Sequence, residues 1–530
     1  MSENRSIPRP PSIGRSAALV FLLNLVSKLG GFIRQFAMAL IFGTSAANDA
    51  WLIASALPNL LFGAIGGAIT STMVPLLAEA RTRADDAWRQ AFISQAFWAV
   101  LIFGLFVSAV AEALAPILAH LLAPGFHGRE LTLTTSMARI VLPTLMLQIT
   151  GGVLSGILQE SDKYAGPASV PAMTNLIRIV GIVVLSRVVA SFGAPPIIGV
   201  AIGFTLAVAS QFLILAPSIR RAHVHIGSPG RFDHPLLGKM GRMALPYIIN
   251  FSASSVEVVI DRILSSWLVV GSIAAINYSY TLVQVPLTMF LNPLITPLLT
   301  RLSQFHSRGE NAQFRRLSHD ALGVVWLLLF PITVWFIMLR VPILNVIFQH
   351  GAFNARSTAL TARTLLAFGL GLPGFGMTMY FRNLFFAQRD TRDPAIYGVI
   401  AIAFNVIGDF TLVHPLQAEG LSLSTSIANW INASLLASLL LRRGLLEGRP
   451  LARLAAPLVA ALAVMIAALW GLMALMPLHP GHRWLTAGDT LIWIIVSGSL
   501  YLGVLKLMHF GGLDLVLRRI KRRGLTVGKA

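Results

Sequence analysis

Apolar residues occur in long stretches along almost the whole chain, and short polar connections rich in Lys, Arg, Gly and Pro separate them. A helix that crosses a membrane needs about 20 mostly apolar residues. About fourteen stretches reach that length, each placed to within a few residues: 16–42, 50–78, 91–122, 134–158, 165–191, 197–217, 243–269, 273–300, 318–347, 358–386, 394–414, 420–441, 452–476 and 488–509. The pattern predicts an all-α polytopic membrane protein. The narrow separations at 158–165 and 269–273 leave thirteen spans as an alternative.

The charges of the connections test this map. If both termini are cytoplasmic, the cytoplasmic connections and tails hold nearly all of the Lys and Arg residues that lie outside the spans, and the opposite connections contain only Arg129, Arg356 and Arg483. Cytoplasmic loops of membrane proteins carry an excess of Lys and Arg. An error of one span would destroy this alternation, so it favours an even count and predicts that both termini lie in the cytoplasm.

The composition agrees with a membrane location. Hydrophobic residues make up 55% of the chain and charged residues only 12%, whereas soluble domains contain about 25% charged residues. The net charge of +20 could suggest nucleic acid. The cations lie between apolar stretches, however, so we interpret them as topology signals and contacts to anionic membrane lipids, and we expect no nucleic-acid partner.

The connections leave no room for a soluble catalytic domain. The longest, 218–242, has roughly 25 residues and is interpreted as a solvated basic linker. The chain has no cysteine, which excludes disulfides and thiolate metal sites. No P-loop, zinc motif or serine nucleophile motif is present. We therefore expect a transporter without catalytic residues or an organic cofactor.

Short motifs recur six spans apart, which indicates an internal repeat. Val74-Pro75-Leu76-Leu77 is echoed by Thr296-Pro297-Leu298-Leu299, and Gly199-Val200-Ala201-Ile202 by Gly420-Leu421-Ser422-Leu423. An even separation gives both copies the same orientation in the membrane. Parallel repeats of this kind predict two related halves with a binding site between them.

Charged residues inside predicted spans are candidates for function, because a charge at the bilayer centre costs about 2.5–3.5 kcal/mol on insertion scales. Lys28 and Arg34 lie in the first span, with Ser27 on the face of Arg34, and Arg262 lies in the seventh. Such cations suit an anionic headgroup, and pyrophosphate is the obvious candidate because its oxygens accept charge-assisted hydrogen bonds. Arg178, in the fifth span, is interpreted as structural or reaching toward the interface.

The same cations could instead be neutralised within the protein. Asp49 in the second span and the seventh-span acids, Asp261 and Glu257, are available as internal partners. Asp261 is adjacent to Arg262 in the sequence, and Glu257 lies about one helical turn before it. The sequence leaves substrate binding and internal ion pairing open for these groups.

Asn405 and Asp409 present side-chain oxygens on one face of the eleventh span, because residues four apart are neighbours on a helix. Leu421 and Thr425 have the same spacing in the next span. With a seventh-span acid, these groups could complete an oxygen cage for Na⁺, or a carboxylate could carry a proton. One structural hydrogen-bonded Asp is the alternative.

The motifs, in their order along the chain, resemble the MurJ/MviN family. They include Gly31-Phe32-Ile33-Arg34, Leu57-Pro58-Asn59-Leu60-Leu61, Ala123-Pro124-Gly125-Phe126, Ile260-Asp261-Arg262 and Phe348-Gln349-His350-Gly351-Ala352-Phe353. The resemblance implies the fold of the MOP exporter superfamily, with two pseudo-symmetric six-helix lobes and two further helices. The expected organisation is a tail 1–15, an N-lobe 16–217, a linker 218–242, a C-lobe 243–441, two last spans within 442–509 and a basic tail 510–530.

The resemblance also implies a function. Family members flip lipid II, the undecaprenyl-pyrophosphate-linked precursor of peptidoglycan, across the bacterial cytoplasmic (inner) membrane by alternating access driven by membrane potential or ions. The family's first-span basic pair falls on Lys28 and Arg34, and its second-span acid on Asp49. Cell-wall synthesis machinery is a candidate partner beside lipid II and the membrane lipids.

A sodium site known in some members falls on Asn405, Asp409, Leu421 and Thr425, with Asp261 or Glu257 as the seventh-span acid, so Na⁺ and H⁺ are the candidate coupling ions.

The sequence departs from the family at positions expected to line the cavity. Phe62-Gly63 occupies a position where many members have Arg. A Glu of the family is replaced around Gly67, and an Asp-Arg pair is replaced by Tyr280-Thr281. These differences leave two alternatives open: a flippase for another polyprenyl-linked oligosaccharide, or a MATE-like antiporter of small molecules. A membrane transferase or a non-transporting scaffold is a third class, although no clustered Asp/His site indicates a transferase.

Overall fold

The computed structural model describes residues 13–82, 86–161, 163–222, 224–476 and 483–514, and their regular structure is entirely helical. The helices are α1 (Ile13–Phe42), α2 (Ala46–Thr82), α3 (Asp86–Ala113), α4 (Ala115–Leu122), α5 (Arg129–Val141), α6 (Thr144–Glu160), α7 (Ala165–Val180), α8 (Ser186–Ser191), α9 (Ile197–Arg221), α10 (Pro235–Ser266), α11 (Ser272–Pro286), α12 (Asn292–Ser307), α13 (Asn311–Met338), α14 (Arg340–Ile347), α15 (Ala355–Ala387), α16 (Arg392–Arg442), α17 (Gly448–Leu475) and α18 (Arg483–Leu507). Residues 1–12 of the predicted tail 1–15 and residues 515–530 of the predicted tail 510–530 lie outside the described residues.

Within the described part of the chain, twelve helical segments are long and apolar enough to cross a membrane. One of them, Arg392–Arg442, contains Gln417 in a non-helical conformation (φ 55°, ψ −133°), so it includes two of the predicted spans. α10 is not among the twelve, although it includes residues 243–266 of the predicted seventh span (243–269). The predicted fold class, an all-α polytopic membrane protein, is confirmed.

Two predicted spans are shorter than expected. The third, 91–122, is divided at Leu114, where a proline in the first turn of α4 starts a new helix. The ninth, 318–347, is divided at Leu339 between α13 and α14. The same arrangement of a long helix followed by a short helix occurs six spans apart, which is consistent with the internal repeat.

The chain forms two compact units, Met1–Val270 (unit 1) and Gly271–Ala530 (unit 2). α10, which we expected to begin the C-lobe, packs against α2 within unit 1. Its last turn also meets the α4–α5 connection, where the backbone N–H of Gly125 donates to Ser266 Oγ at 3.0 Å. The division between compact units therefore falls after α10 and not at the linker 218–242; the lobe bounds stay a prediction.

The connection before α10 is attached to α3 at its end, although most of its residues, including Arg231 and Asp233, are exposed, as the interpretation of a solvated linker expected. The backbone N–H of His234 donates to Gln95 Oε1 (3.0 Å), and Gln95 Nε2 donates to Asp233 Oδ1 (3.2 Å). The His234 ring is buried against Trp88, with ring centroids 4.3 Å apart. The side-chain amide of Gln95, on α3, thus holds the connection at two points. His223 lies outside the described residues.

The apolar core of unit 1 lies among α2, α3, α6, α9 and the first turns of α10. Its fully buried members include Met73, Phe92, Ile149 and Leu215. This core fixes the helices around which the polar groups described below are placed.

Candidate substrate and ion sites

The first polar cluster of unit 1 lies where α1 crosses α7. Arg34 Nη1 donates to Asn175 Oδ1 at 3.1 Å, and Asn175 Nδ2 donates to the backbone carbonyl of Ser27 at 2.9 Å. The crossing is close because α1 has glycine there: a β-carbon added at Gly30 would lie 3.3 Å from the β-carbon of Asn175. Asn175 therefore orients the guanidinium of Arg34, and Ser27 contributes its backbone oxygen to this arrangement.

Arg178, one turn after Asn175 on α7, extends the cluster. Its guanidinium carbon lies 4.2 Å from the ring centroid of Phe204 on α9, within the range of a cation–π contact. It is also close enough to Arg34 for the two positive charges to interact. Sequence reasoning had set Arg178 aside as structural; the only available signal was a charge deep inside an apolar stretch.

Lys28, Asp49 and Arg262 have different surroundings. Lys28 is an exposed residue of α1, whereas Asp49 is buried in the first turn of α2 with 3% of its surface exposed. Asp261 and Asp49 both act electrostatically on the Arg262 guanidinium. The structure thus brings Arg262 together with acids, as the internal-pairing alternative expected. The roles of all three residues in binding stay predictions.

The polar cluster of unit 2 lies inside α16, where its two halves face each other across the break at Gln417. Asn405 is 1% exposed and Asp409 0%. Asn405 Nδ2 lies 3.1 Å from Ser424 Oγ, 3.3 Å from Thr425 Oγ1 and 3.5 Å from Asp409 Oδ1. The predicted residues Asn405, Asp409 and Thr425 are therefore brought together, and Ser424 joins them.

Glycines allow the two halves of α16 to approach. A β-carbon at Gly408 would lie 2.5 Å from Ser424 Oγ, and one at Gly420 would collide with the carbonyl oxygen of Leu412. Ser424 Oγ donates to the backbone carbonyl of Asn405 at 2.6 Å. Sequence reasoning missed Ser424, although its position directly before Thr425 in a small, polar stretch was visible.

The oxygen atoms of this cluster are of the type that binds a hard cation. Thr425 Oγ1 donates to the carbonyl of Leu421 at 3.0 Å, so this oxygen, the Thr425 hydroxyl and the Asp409 carboxylate form one oxygen-rich set, with a single negative charge. No group of three or more His, Cys, Asp or Glu able to hold a metal ion occurs among the described residues. Asp261 and Glu257 belong to unit 1, and their participation in this set stays a prediction.

Comparison with known proteins decides the family. The family model described as "Lipid II flippase MurJ" matches residues 38–485. The chain belongs to the MurJ family. The MurJ/MviN resemblance seen in its motifs is thereby confirmed.

MurJ proteins from several bacteria match over most of the chain. "Probable lipid II flippase MurJ" of Rhizobium tropici is 29% identical over 523 residues, which are 94% of this chain and 95% of the relative. "Lipid II flippase MurJ" of Burkholderia cenocepacia is 26% identical over 448 residues, 82% of this chain and 85% of the relative.

Solved structures show the same fold. "Lipid II flippase MurJ, inward closed conformation" aligns with a TM-score of 0.79 at 23% identity and covers 94% of this chain and 100% of that one. A multidrug resistance MATE family transporter of the MOP superfamily, in an inward-facing conformation, aligns with a TM-score of 0.64 at 16% identity, covering 79% and 96%. The MurJ chain described here therefore has the MOP-superfamily fold that the resemblance implied.

Proposed function

We propose that this protein is a lipid II flippase, which moves the undecaprenyl-pyrophosphate-linked precursor of peptidoglycan across the bacterial cytoplasmic membrane. Family membership over residues 38–485 carries this proposal. The relatives that match nearly full length are named as lipid II flippases. The protein acts as a transporter and not as an enzyme, with both termini in the cytoplasm, as the distribution of Lys and Arg favours.

The cations of unit 1 support an anionic headgroup as substrate. Arg34 is held by Asn175 at 3.1 Å, so its position is set before any ligand arrives, and a pre-oriented guanidinium loses less entropy on binding. Lys28 lies six residues earlier on the same helix and is exposed. Both side chains can donate charge-assisted hydrogen bonds to pyrophosphate oxygens, and Arg262 is a third candidate. Alternating access then exposes the bound headgroup to the other side of the membrane.

A coupling ion fits the cluster around Asp409. As placed, Asn405 directs its Nδ2 at three oxygens; a half-turn of the amide would direct Oδ1 there instead, and the two orientations have nearly the same shape. Asp409, Asn405, Thr425 and the carbonyl of Leu421 are the groups that would hold Na⁺, whose charge would offset the buried carboxylate. A proton on Asp409 would serve the same purpose.

A second candidate is a flippase for another polyprenyl-linked oligosaccharide. The position where the family has an Asp-Arg pair is Tyr280-Thr281, and here the Tyr280 hydroxyl accepts a hydrogen bond from Gln284 at 2.6 Å. The ring of Tyr280 lies 5.6 Å from that of Phe368. Aromatic surface thus replaces charged side chains at this position. This favours a substrate whose sugar or peptide portion differs from that of lipid II. The cationic cluster of unit 1 argues against cationic drugs, the substrates a MATE-like antiporter would take.

The test is complementation in a bacterium depleted of its own lipid II flippase. We expect the wild-type chain to restore growth and Arg34→Ala to abolish rescue, because loss of hydrogen bonds to a charged group costs about 1.5–3 kcal/mol each. Arg187→Gln is the matched control, since Arg187 is an exposed arginine of the same unit. A wild-type chain that is expressed and inserted but does not rescue would contradict lipid II as substrate and favour the second candidate.

A further inference from the structure

Two close helix crossings fix the position of Arg178. Asn175 contacts α1 at Gly30, and Gly181 contacts α9 at Gly203, where an added β-carbon would lie 2.6 Å from the Gly203 Cα. Arg178 lies three residues from each of these contacts on α7. Phe204 directly follows Gly203, so the close approach of α7 and α9 places the ring beneath the guanidinium. Backbone packing therefore sets the position of Arg178. An arginine that only extended toward the membrane interface would not need such packing.

The contact of Arg178 with the Phe204 ring is a cation–π contact, which supplies no oxygen acceptor for the N–H donors of Arg178. Arg178 Nε is buried and has no hydrogen-bond partner among the described residues. A buried donor without a partner costs about 1–3 kcal/mol, and a ligand oxygen would remove this penalty.

The charge of the cluster is not compensated within the described part of unit 1. The ion pairs there, such as Arg89–Glu160 and Lys239–Glu79, include neither Arg34 nor Arg178. The two guanidiniums instead act on each other as like charges. Arg262 differs, since Asp261 and Asp49 act on it. Arg34 and Arg178 therefore form a local excess of two positive charges inside helices that cross the membrane.

The backbone next to Arg178 is also irregular. A π-helical turn, Gly181–Leu185, interrupts the helix directly after α7. Turns of this kind are rare and occur often at functional sites. This turn shifts the register of the helix at the point where Gly181 meets Gly203.

We propose that Arg34 and Arg178 together form a diphosphate-binding site on α1 and α7, in which Arg178 distinguishes a lipid diphosphate from a lipid monophosphate. A monophosphate can be held by one guanidinium through two parallel hydrogen bonds. A diphosphate offers a second phosphoryl group and additional negative charge, which the second guanidinium can take. This inference rests on the proposed function and assigns a substrate-binding role to a residue outside the predicted set.

The experiment measures binding to the full-length protein in nanodiscs of uncharged lipid. The probes are undecaprenyl diphosphate and undecaprenyl monophosphate. We expect the wild type to prefer the diphosphate by about tenfold or more, the effect of one or two charge-assisted hydrogen bonds. Arg178→Gln should lose most of this preference and Arg178→Lys should keep part of it. Arg187→Gln should bind as the wild type does.

Asn175→Asp keeps the inference testable if Arg178→Gln does not fold. Its carboxylate would stand where the amide oxygen now accepts from Arg34 at 3.1 Å and would neutralise one charge, and it would lose the hydrogen bond that Asn175 Nδ2 donates to the Ser27 carbonyl. We expect it to weaken diphosphate binding about tenfold. An unchanged preference in Arg178→Gln, or unchanged diphosphate binding in Asn175→Asp where that variant alone folds, would overturn the inference.

Competition experiments identify the chemical group that the site recognises. Displacement of undecaprenyl diphosphate by inorganic pyrophosphate, weakened in Arg178→Gln, supports recognition of the diphosphate group itself. Equally effective displacement by phosphatidylglycerol would overturn it, because the site would then read any anionic headgroup. If the wild type fails to complement but keeps the Arg178-dependent preference, lipid II transport fails and the diphosphate site stands. If the wild type complements but shows no Arg178-dependent preference, the diphosphate site is refuted and the proposed function stands.

Discussion

The two polar clusters differ in the sign of their charge and in the groups that surround it. In unit 1, Arg34 and Arg178 are two cations that act on each other, and their protein partners are an amide and an aromatic ring. In unit 2, Asp409 is an acid at 0% exposure beside the amide of Asn405, which also lies against the hydroxyl groups of Ser424 and Thr425. The first cluster has an excess of positive charge, whereas the second encloses one negative charge.

Under the proposed function, this difference separates binding of the anionic substrate from binding of a coupling ion. Donors with uncompensated positive charge favour an anion, and a buried carboxylate among oxygens favours a small cation or a proton. Both clusters use the same packing device, a glycine at a close helix contact: Gly203 against Gly181 in unit 1, and Gly408 against Ser424 in unit 2. The chemistry therefore differs although the means of positioning is shared.

The largest effect is expected from the acid of unit 2. Sodium should stabilise the purified wild type against thermal unfolding by about 2.7 kcal/mol at a hundredfold excess over its Kd, and Asp409→Asn should abolish this stabilisation because the carboxylate is lost. The measurement is thermal unfolding in detergent with Na⁺ against K⁺. Asp489→Asn, which changes another buried acid of unit 2, should keep the response. Equal stabilisation of Asp409→Asn would refute the cation assignment.

The close contact of Gly408 with Ser424 gives the next prediction. Gly408→Ala should destabilise the protein by about 1–3 kcal/mol, because the new methyl group would displace Ser424 Oγ and break its hydrogen bond to the Asn405 carbonyl. Gly398→Ala is the matched control on the same helix, since its β-carbon would meet nothing within 4 Å; alanine there should be neutral or slightly stabilising. Similar unfolding temperatures for the two variants would show that the close contact does not matter.

The smallest effect concerns a charge outside both clusters. Asp390 lies in the α15–α16 connection; burial acts to raise its pKa, but hydrogen bonds from Arg443 and from the backbone N–H groups of Asp393 and Arg392 outweigh burial and hold the pKa below its ordinary value. The stabilisation is therefore present above the unfolded-state pKa and is lost as pH falls through the lower folded-state pKa.

Thermal unfolding between pH 7 and pH 3 checks this sign. Below about pH 4, the wild type should lose about 1 kcal/mol or less relative to Asp390→Asn, which cannot ionise. A parallel decline of both proteins would mean that the pair of Asp390 with Arg443, 2.8 Å apart, contributes nothing measurable.

The sequence was enough for the fold because each span must be apolar over about 20 residues. It also made Arg34, Asn405 and Asp409 candidates for function, since charged or amide groups inside such spans are costly. It did not show the pairing of Arg34 with Asn175, which are 141 positions apart, or that Gln95 holds the connection before α10. The surroundings of Arg178 could not be predicted, because its neighbours come from α1 and α9, and periodicity within one helix contains no information about them.

Transport of fluorescent lipid II in proteoliposomes tests the central claim most directly. We expect the wild-type chain to move labelled lipid II between leaflets, made visible by an enzyme or quencher that reaches only the outer leaflet. Arg34→Gln should slow this movement about tenfold or more, and Arg187→Gln should leave it unchanged. Wild-type protein that is folded and reconstituted but moves lipid II no faster than empty liposomes would contradict the account.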